Sequence, residues 1–448
     1  MTAVLISMLG GLGLFLYGMK MMSDGIEKAA GDKLRGILQV LTKNKVISTI
    51  VGTIFTGIIQ SSTAVTVMAV SFVNAGLMSV SQSVGIIFGA NIGTTVTSQL
   101  VSFNLSAAAP IFVFVGVILF MFGKRPILKK IGEVILGFGI LFVGMSTMAG
   151  NMSGMKDSPV LTNLLATLSN PVVGILVGAG ITAAVQSSSV TVSLIVLMAS
   201  QGLIELPICL YIILGCNIGA ALPAVLVSMS GNANAKRTAL IHMLFNIIGT
   251  VITAIVLAFA GGPIAAGISG FSANAGRAVA NAHTIFKIAQ VIVLLPFSGL
   301  IVKLTYILVR KKDHETQDEF TLQYIGEHAM HTPASALPQA IGEIHRMGDM
   351  AVQNLNDACE ALISNRSDLI RKVMDKEKVI DYLSQEITKY LINANQLSLP
   401  ISDRKMLAGL FHVVNDIERI GDHAVNIAED AEKKIEGGYT FSTHGEGE

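Results

Sequence analysis

Charge is what this sequence has least of where its apolar residues are densest. Between Lys45 and Lys124 there is no Asp, Glu, Lys or Arg, and residues 158 to 204 also lack Asp and Glu. An uncharged run of 78 residues belongs within a membrane or under a cover of protein. The missing carboxylates remove the titratable group that a proton-coupled carrier would normally show there. Tryptophan is absent, and the three cysteines, Cys209, Cys216 and Cys359, follow no metal or disulfide spacing and read as packing residues. The N-terminal apolar run lacks the basic leader of a signal peptide, and its glycine pattern returns at Gly137, so it belongs to the fold.

What charge there is divides the chain in two. Up to Arg310 there are 17 Lys and Arg against 6 Asp and Glu; from Lys311 onward there are 14 against 24. The net charge of +1 therefore hides a basic membrane part and an acidic soluble part, and gives no sign of a nucleic-acid partner.

The membrane part is duplicated. Gln60-Ser61-Ser62-Thr63 recurs as Gln186-Ser187-Ser188-Ser189, 126 residues later. The same ungapped offset carries Gly11, Gly13, Gly18, Met19 and Met22 onto Gly137, Gly139, Gly144, Met145 and Met148. It also carries Asn44 onto Asn170, and Gly89, Asn91, Ile92, Gly93 onto Gly215, Asn217, Ile218, Gly219. Low-complexity apolar sequence does not hold one register over roughly ninety residues while keeping polar positions, so this is a repeat.

Hydropathy predicts a span at 3–22, then an amphipathic helix at 24–45 lying at the interface. Val46 to Ala75 would run ~45 Å as one helix against a hydrocarbon core of ~30 Å. A re-entrant hairpin broken at Gln60-Ser61-Ser62 resolves that excess, and 172–200 repeats it. Residues 76–102 and 202–228 are expected to be discontinuous spans, interrupted at Gly89–Thr95 and its copy. Ordinary spans follow at 107–122, 131–149, 238–260 and 283–309, the last two separated by a Gly/Ala/Asn-rich loop. The basic 24–45 segment has a nearly uncharged counterpart at 150–171, whereas the neutral 102–109 corresponds to 228–238 with Lys236 and Arg237. By the positive-inside rule the copies face opposite ways, as inverted repeats, with the tail inside.

Two polar tips near the bilayer centre cost several kcal/mol unless they bind something. Helix N-termini with hydroxyls and carboxamides suit an anion rich in acceptor oxygens, each end supplying ~+0.5 charge. Because these stretches hold no Lys or Arg, the rest of the positive charge is expected to arrive as co-bound cations. Neutral oxygen ligands without carboxylates point to Na+ over H+. Isolated Thr56, Ser71 and Gly116 read as helix packing, as do His242, Asn246 and His283. A serine protease built on Ser188 and His242 is disfavoured, because the serine motif is duplicated and a histidine is not.

These motifs, with Gly57-Ile58-Ile59 before Gln60 and the opening Gly11-Leu12-Gly13-Leu14-Phe15-Leu16-Tyr17-Gly18-Met19, resemble the type II sodium/phosphate cotransporters over roughly residues 1 to 310. The resemblance implies that Gln60, Ser61, Ser62, Thr63 and Gln186, Ser187, Ser188, Ser189 bind sodium and inorganic phosphate, with Asn91, Thr94, Thr95 and Asn217 beside them. Ala220-Ala221 replaces Thr94-Thr95 in the second copy, so the cation ligands need not be symmetric. No acidic residue lies around 95–110, where some animal members carry one linked to electrogenic transport.

The tail resembles the PhoU family through Asp416-Ile417-Glu418-Arg419-Ile420-Gly421-Asp422-His423-Ala424-Val425-Asn426 and Asp375-Lys376-Glu377-Lys378-Val379-Ile380-Asp381. Apolar periodicity predicts three helices at 335–364, 367–395 and 403–435. Each motif holds Glu-x-x-x-Asp, which stacks two carboxylates on one helix face. Glu377, Asp381, Glu418 and Asp422 are thus candidate ligands for a divalent or iron-type metal, the alternative being a solvated acidic face. A full PhoU protein has two such three-helix repeats and this chain has one, which implies a homodimer.

The expected architecture is an all-α membrane protein: repeat 1 at 1–126, repeat 2 at 127–253, further spans at 254–312, a linker at 313–332, a cytoplasmic helical domain at 333–436 and a disordered tail at 437–448. The expected function is sodium-coupled phosphate transport across the plasma membrane. The alternatives are a phosphate sensor without transport and a carrier of another tetrahedral oxyanion.

Overall fold

The computed structural model describes residues 2–40, 44–103, 105–152, 159–229, 231–310, 320–325, 333–397 and 401–439. Among these there is helix and no strand. The chain divides into two compact units. One comprises Met1–Val73, Met78–Met229 and Asn234–Val309; the other comprises Asn74–Leu77, Ser230–Ala233 and Arg310–Glu448.

In the first unit, the first copy runs through α1 (Thr2–Val40), α2 (Lys45–Ile59), α3 (Ser62–Asn74), α4 (Val80–Gly93), α5 (Thr95–Ser102), a short 3-10 turn (Ser106–Ala108) and α6 (Ala109–Phe122). The second runs through α7 (Pro126–Met152), α8 (Pro159–Leu168), α9 (Pro171–Val185), α10 (Ser188–Ser200), α11 (Leu206–Gly219), α12 (Leu222–Ser228) and α13 (Ala233–Gly270). Shifted by 126 residues, the bounds of α2, α3 and α4 coincide with those of α9, α10 and α11. Even the caps repeat: Asn44 and Asn170 each accept from the two backbone N–H groups that open α2 and α9. Then α14 (Ala275–Leu294) and α15 (Ser298–Leu308) follow, bent by 79° at their junction. Among the described residues five helical stretches are long and apolar enough to cross a membrane, and six if that bent pair is one span.

The repeated glycines explain how the copies pack. A Cβ on Gly11 would strike the backbone of Gly144, and one on Gly18 that of Gly137 and Leu141. As the position on α1 advances, its partner on α7 recedes, so the two equivalent helices run antiparallel. The contact is also reciprocal, since Gly137 meets Gly18 and Gly144 meets Gly11. Such a self-complementary pairing is what a two-fold relation between two copies produces. The inverted arrangement expected from charge is therefore built into the α1–α7 contact. A second glycine set lets α4 lie on α2, where a Cβ on Gly89 would meet Thr49 O, and in the copy α11 lies on α9, where Gly215 meets Ile175 O.

Four expectations change. Residues 24–40 continue α1 and form no separate helix. The spans through Gly89–Thr95 and its copy are interrupted as expected, at Thr94 and at Ala220–Ala221, but they are not unwound there: Thr94 keeps helical angles (φ −62, ψ −22), and Ala220 does the same. Their glycines are spent on close helix packing rather than on breaking the chain. The span expected to stop near 260 does break there, at the non-helical Ala260 (φ −129, ψ 15), but a further helical stretch reaching Gly270 follows where a loop was expected. The last span bends instead of running straight. The linker expected at 313–332 lies outside the described residues except for 320–325, as does the tail beyond Tyr439.

The second unit carries α16 (Pro333–Ser364), α17 (Ser367–Asn395) and α18 (Ile401–Gly437), close to the three expected helices. On α16 the buried stripe Ala336, Ala340, Met347, Ala351, Ala358, Ala361 keeps a three-and-four spacing. Glu343 and Asn354 fall on the same stripe and are fully buried, so two core positions of this helix are polar. Glu343 accepts from the backbone N–H groups of Gln323 and Tyr324 and from Arg346. Those bonds replace the lost water and fasten the segment before α16.

Candidate functional site

Both breaks fall where the duplicated motif predicts them. Gln60 (φ 61, ψ 18) ends α2 and Gln186 (φ 58, ψ 21) ends α9, each in the left-handed region. A non-glycine residue held there is unusual, and the same choice at two equivalent positions marks a turn that the side chain is needed for. Gln60 is buried: its carboxamide oxygen accepts from Thr97 Oγ1 at 2.8 Å, and its nitrogen donates to Gly57 O. Gln186 is exposed, so the two tips sit in different surroundings.

The serines divide between capping and contact. Ser61 Oγ accepts from Ala64 N at 3.1 Å, and Ser187 Oγ from Val190 N at 3.4 Å, opening α3 and α10. Ser62 Oγ donates to Thr94 Oγ1 at 3.3 Å, and Thr94 Oγ1 lies 3.0 Å from Ser189 Oγ. Thr94 thus joins the Gln-Ser-Ser tips of both repeats. The equivalent pair in the other direction would be Thr63 and Ala220, and alanine has no hydroxyl to complete it. Ser188 is buried at the start of α10, and Thr63 is half-buried. Thr95, expected beside the ligand, donates back across the α4–α5 junction to Ile92 O.

Asn91 lies one helical turn before Thr94 and is buried. Its Nδ2 donates to Ile87 O, and its Oδ1 accepts from Lys287 Nζ at 2.7 Å. The same ammonium donates to Asn246 Oδ1 at 2.8 Å, and Asn246 in turn donates to His242 O. Asn217, the repeat partner of Asn91, is equally buried, but its Oδ1 has no hydrogen-bond partner. The unit's positive charge is therefore not wholly imported: α14 delivers Lys287, only 1% exposed, beside the motif. The expectation of a site free of cationic side chains considered only the duplicated stretches, and α14 follows them. A signal was present, since His242-x-x-Phe245-Asn246 recurs as His283-x-x-Phe286-Lys287. Thr97, which holds Gln60, is likewise missing from the expected set and carries no motif.

In the tail, Glu377 Oε1 is buried without a partner, and a Cβ on Gly421 would strike the Glu377 carboxylate. Burial, then the charges of Asp381, Asp422 and Glu418, push the Glu377 carboxyl up to about 7; Glu418 is raised for similar reasons. Among the described residues no group of three or more His, Cys, Asp or Glu is placed to hold a metal ion. The metal expected on Glu377, Asp381, Glu418 and Asp422 is corrected accordingly. The raised Glu377 carboxyl eases the repulsion by favouring its protonated form.

Hydroxyls from both copies of the repeat thus meet at Thr94, in a cluster that holds no carboxylate. The Na+/Pi-cotransporter family model matches residues 14–150 and again 151–322. The chain belongs to the Na+/Pi-cotransporter family. It is a transport family rather than an enzyme family, and its model matches twice along the chain. The PhoU domain model matches residues 344–431, which makes α16–α18 a PhoU domain. YqeW of Bacillus subtilis is 30% identical over 316 residues, 69% of this chain and 99% of that protein. YjbB of Escherichia coli, whose name proposes inorganic phosphate export, is 25% identical over 98% of this chain and 80% of its own. Sodium-dependent phosphate transport protein 2A of Rattus norvegicus is 37% identical over 97 residues, 21% of this chain and 15% of that protein. No solved structure matches.

Proposed function

We propose that the chain is a secondary carrier that couples Na+ to inorganic phosphate at the site shared by its two repeats. The observation that carries this reading is the Thr94–Ser189 hydroxyl pair, which puts both Gln-Ser-Ser tips on one buried locus without any carboxylate. Phosphate offers acceptor oxygens to the hydroxyls, the carboxamides and the N-termini of α3 and α10. Sodium, taken by neutral oxygens such as Asn217 Oδ1, offsets the anion's charge. Gln60–Thr63, Gln186–Ser189, Asn91 and Thr94 form the binding set, Thr95 being turned back to Ile92 O at the end of α4. Rocking of one repeat against the other would then expose the locus to each side in turn.

By the positive-inside rule, the basic residues after α6 and α15 support a cytoplasmic side of the plasma membrane for those loops and for the PhoU domain. As a single three-helix unit, that domain pairs with a second chain. Net direction follows the sum of the phosphate and sodium gradients, so one site serves uptake or release. The alignment with YjbB over 98% of this chain favours release in the cell.

The test is flux in proteoliposomes. A sensor binds phosphate without moving it, and a carrier of another oxyanion is inhibited more strongly by sulfate or arsenate than by phosphate.

A further inference from the structure

A lysine with no exposed surface and no acid beside it calls for a counter-charge. Lys287 Nζ meets two amide oxygens, Asn91 Oδ1 at 2.7 Å and Asn246 Oδ1 at 2.8 Å, and lies 5.8 Å from the centre of the Phe245 ring. Among the described residues it makes no ion pair, and the flanking stretches 46–123 and 158–204 contain no Asp or Glu. An unpaired buried ammonium costs several kcal/mol, and a lysine is an expensive way to bridge two asparagines. The matching His-x-x-Phe motif on α13 carries uncharged Asn246 where α14 carries Lys287. Asparagine is thus a residue this packing already accommodates.

The placement supplies the missing partner. Asn91 lies one turn from Thr94, and Thr94 touches Ser62 and Ser189. The ammonium is therefore bonded to a residue that stands one helical turn, ~5 Å along the axis, from Thr94. The two repeats then differ in a telling way. On Asn91 the side-chain oxygen is already occupied by a cationic donor, whereas on its repeat partner Asn217 the same oxygen is buried with nothing bound to it.

We propose that Lys287 is a resident cation of the site: it supplies the counter-charge for the bound oxyanion on the first-repeat side and takes the place of one co-transported Na+. The proposal rests on the transport reading above and adds to it which side chain sets the ratio of sodium to phosphate. No covalent step is involved. The ammonium stays on the protein, and the anion comes and goes.

The experiment compares the full-length protein with Lys287→Asn, Lys287→Met and Lys287→Arg in proteoliposomes, measuring radiolabelled sodium and phosphate flux together. It is paired with equilibrium binding of inorganic phosphate to the purified proteins. Lys287→Asn is expected to move one more Na+ per phosphate than the parent. Lys287→Met is expected to bind phosphate about tenfold more weakly or worse, because it removes a buried charge without a substitute. Lys287→Arg keeps the parental ratio. An unchanged ratio in Lys287→Asn with unchanged phosphate affinity in Lys287→Met overturns the proposal, since a lysine that only packs helices does not set stoichiometry. If the parent binds phosphate but moves none, the transport reading fails on its own, and the lysine's role is then judged from binding alone. Affinity retained in both neutral variants would refute it there too.

Discussion

The hydroxyl oxygens of Thr94 and Ser189 lie 3.0 Å apart and come from opposite copies of the repeat. One threonine on the α4–α5 junction thus ties the serine tip of α10 to Ser62 on α3. The reciprocal position holds Ala220, so the two-fold relation that governs helix packing is broken at the polar site.

Thr94→Val keeps the β-branched shape and removes the hydroxyl. It is expected to lower sodium-dependent phosphate flux by about tenfold or more, and Ser189→Ala by a similar factor. Because the two groups touch, Thr94→Val/Ser189→Ala should be little worse than the poorer single variant. Effects that multiply would contradict a direct contact. Flux per protein, corrected for amount in the membrane, makes the comparison.

Gln60 separates backbone from side chain. Gln60→Gly is free to adopt the left-handed turn but loses the carboxamide that Thr97 donates to. It should fold to parental levels while losing flux. Gln60→Val, strained at φ 61, should lower yield as well. Size-exclusion profiles and flux measured together distinguish the two. Full flux in Gln60→Gly would show that only the turn matters.

Gly89→Ala and Gly215→Ala each force a Cβ against the backbone of the facing helix. Each is expected to cost about 1–3 kcal/mol of stability, as overpacking does. A thermal melt of the detergent-solubilised protein, showing a lowered midpoint in both, is the check. Parental midpoints would mean that α4 and α11 do not lie so close to α2 and α9.

Much of this was legible in the sequence, because duplication turns one chain into an alignment with itself. The register of 126 marks both breaks, both caps and the packing glycines, and charge asymmetry marks the inversion. What stayed hidden has physical causes. The motif Gly-x-Asn-Ile-Gly looks like a helix breaker, yet Gly89 and Gly93 are small for the sake of α2, and only Asn91 faces a ligand-like group. Lys287 escaped because its helix stands outside the duplicated unit, and a lone lysine in an apolar span resembles one that reaches for the interface. The acidic face of the tail read equally as metal ligands or solvated charge. Asp381 and Asp422 are exposed and Glu418 is half-buried, so most of that face is solvated, and only the burial of Glu377 is something spacing does not encode.

The Glu377 carboxyl predicts a pH response in the PhoU domain. Its value in the folded protein is raised from 4.5 to about 7, so the folded state holds more protons than the unfolded state between those limits. Stability should then be highest below about pH 4.5 as far as this group is concerned, and fall as pH rises toward 7, by on the order of 1 kcal/mol after solvent screening. Amide exchange over residues 373–381 should be faster at pH 8 than at pH 5.5, after correction for intrinsic rates. Glu377→Gln should remove most of the difference. An undiminished pH response in that variant would place the proton elsewhere.

The most direct measurement of the central claim is accumulation of radiolabelled phosphate in proteoliposomes with and without an imposed sodium gradient, for the parent and for Thr94→Val. The account predicts sodium-driven accumulation in the parent and its loss in the variant, with both proteins equally well inserted. Accumulation driven by a proton gradient alone, or full sodium-driven accumulation in Thr94→Val, would contradict it.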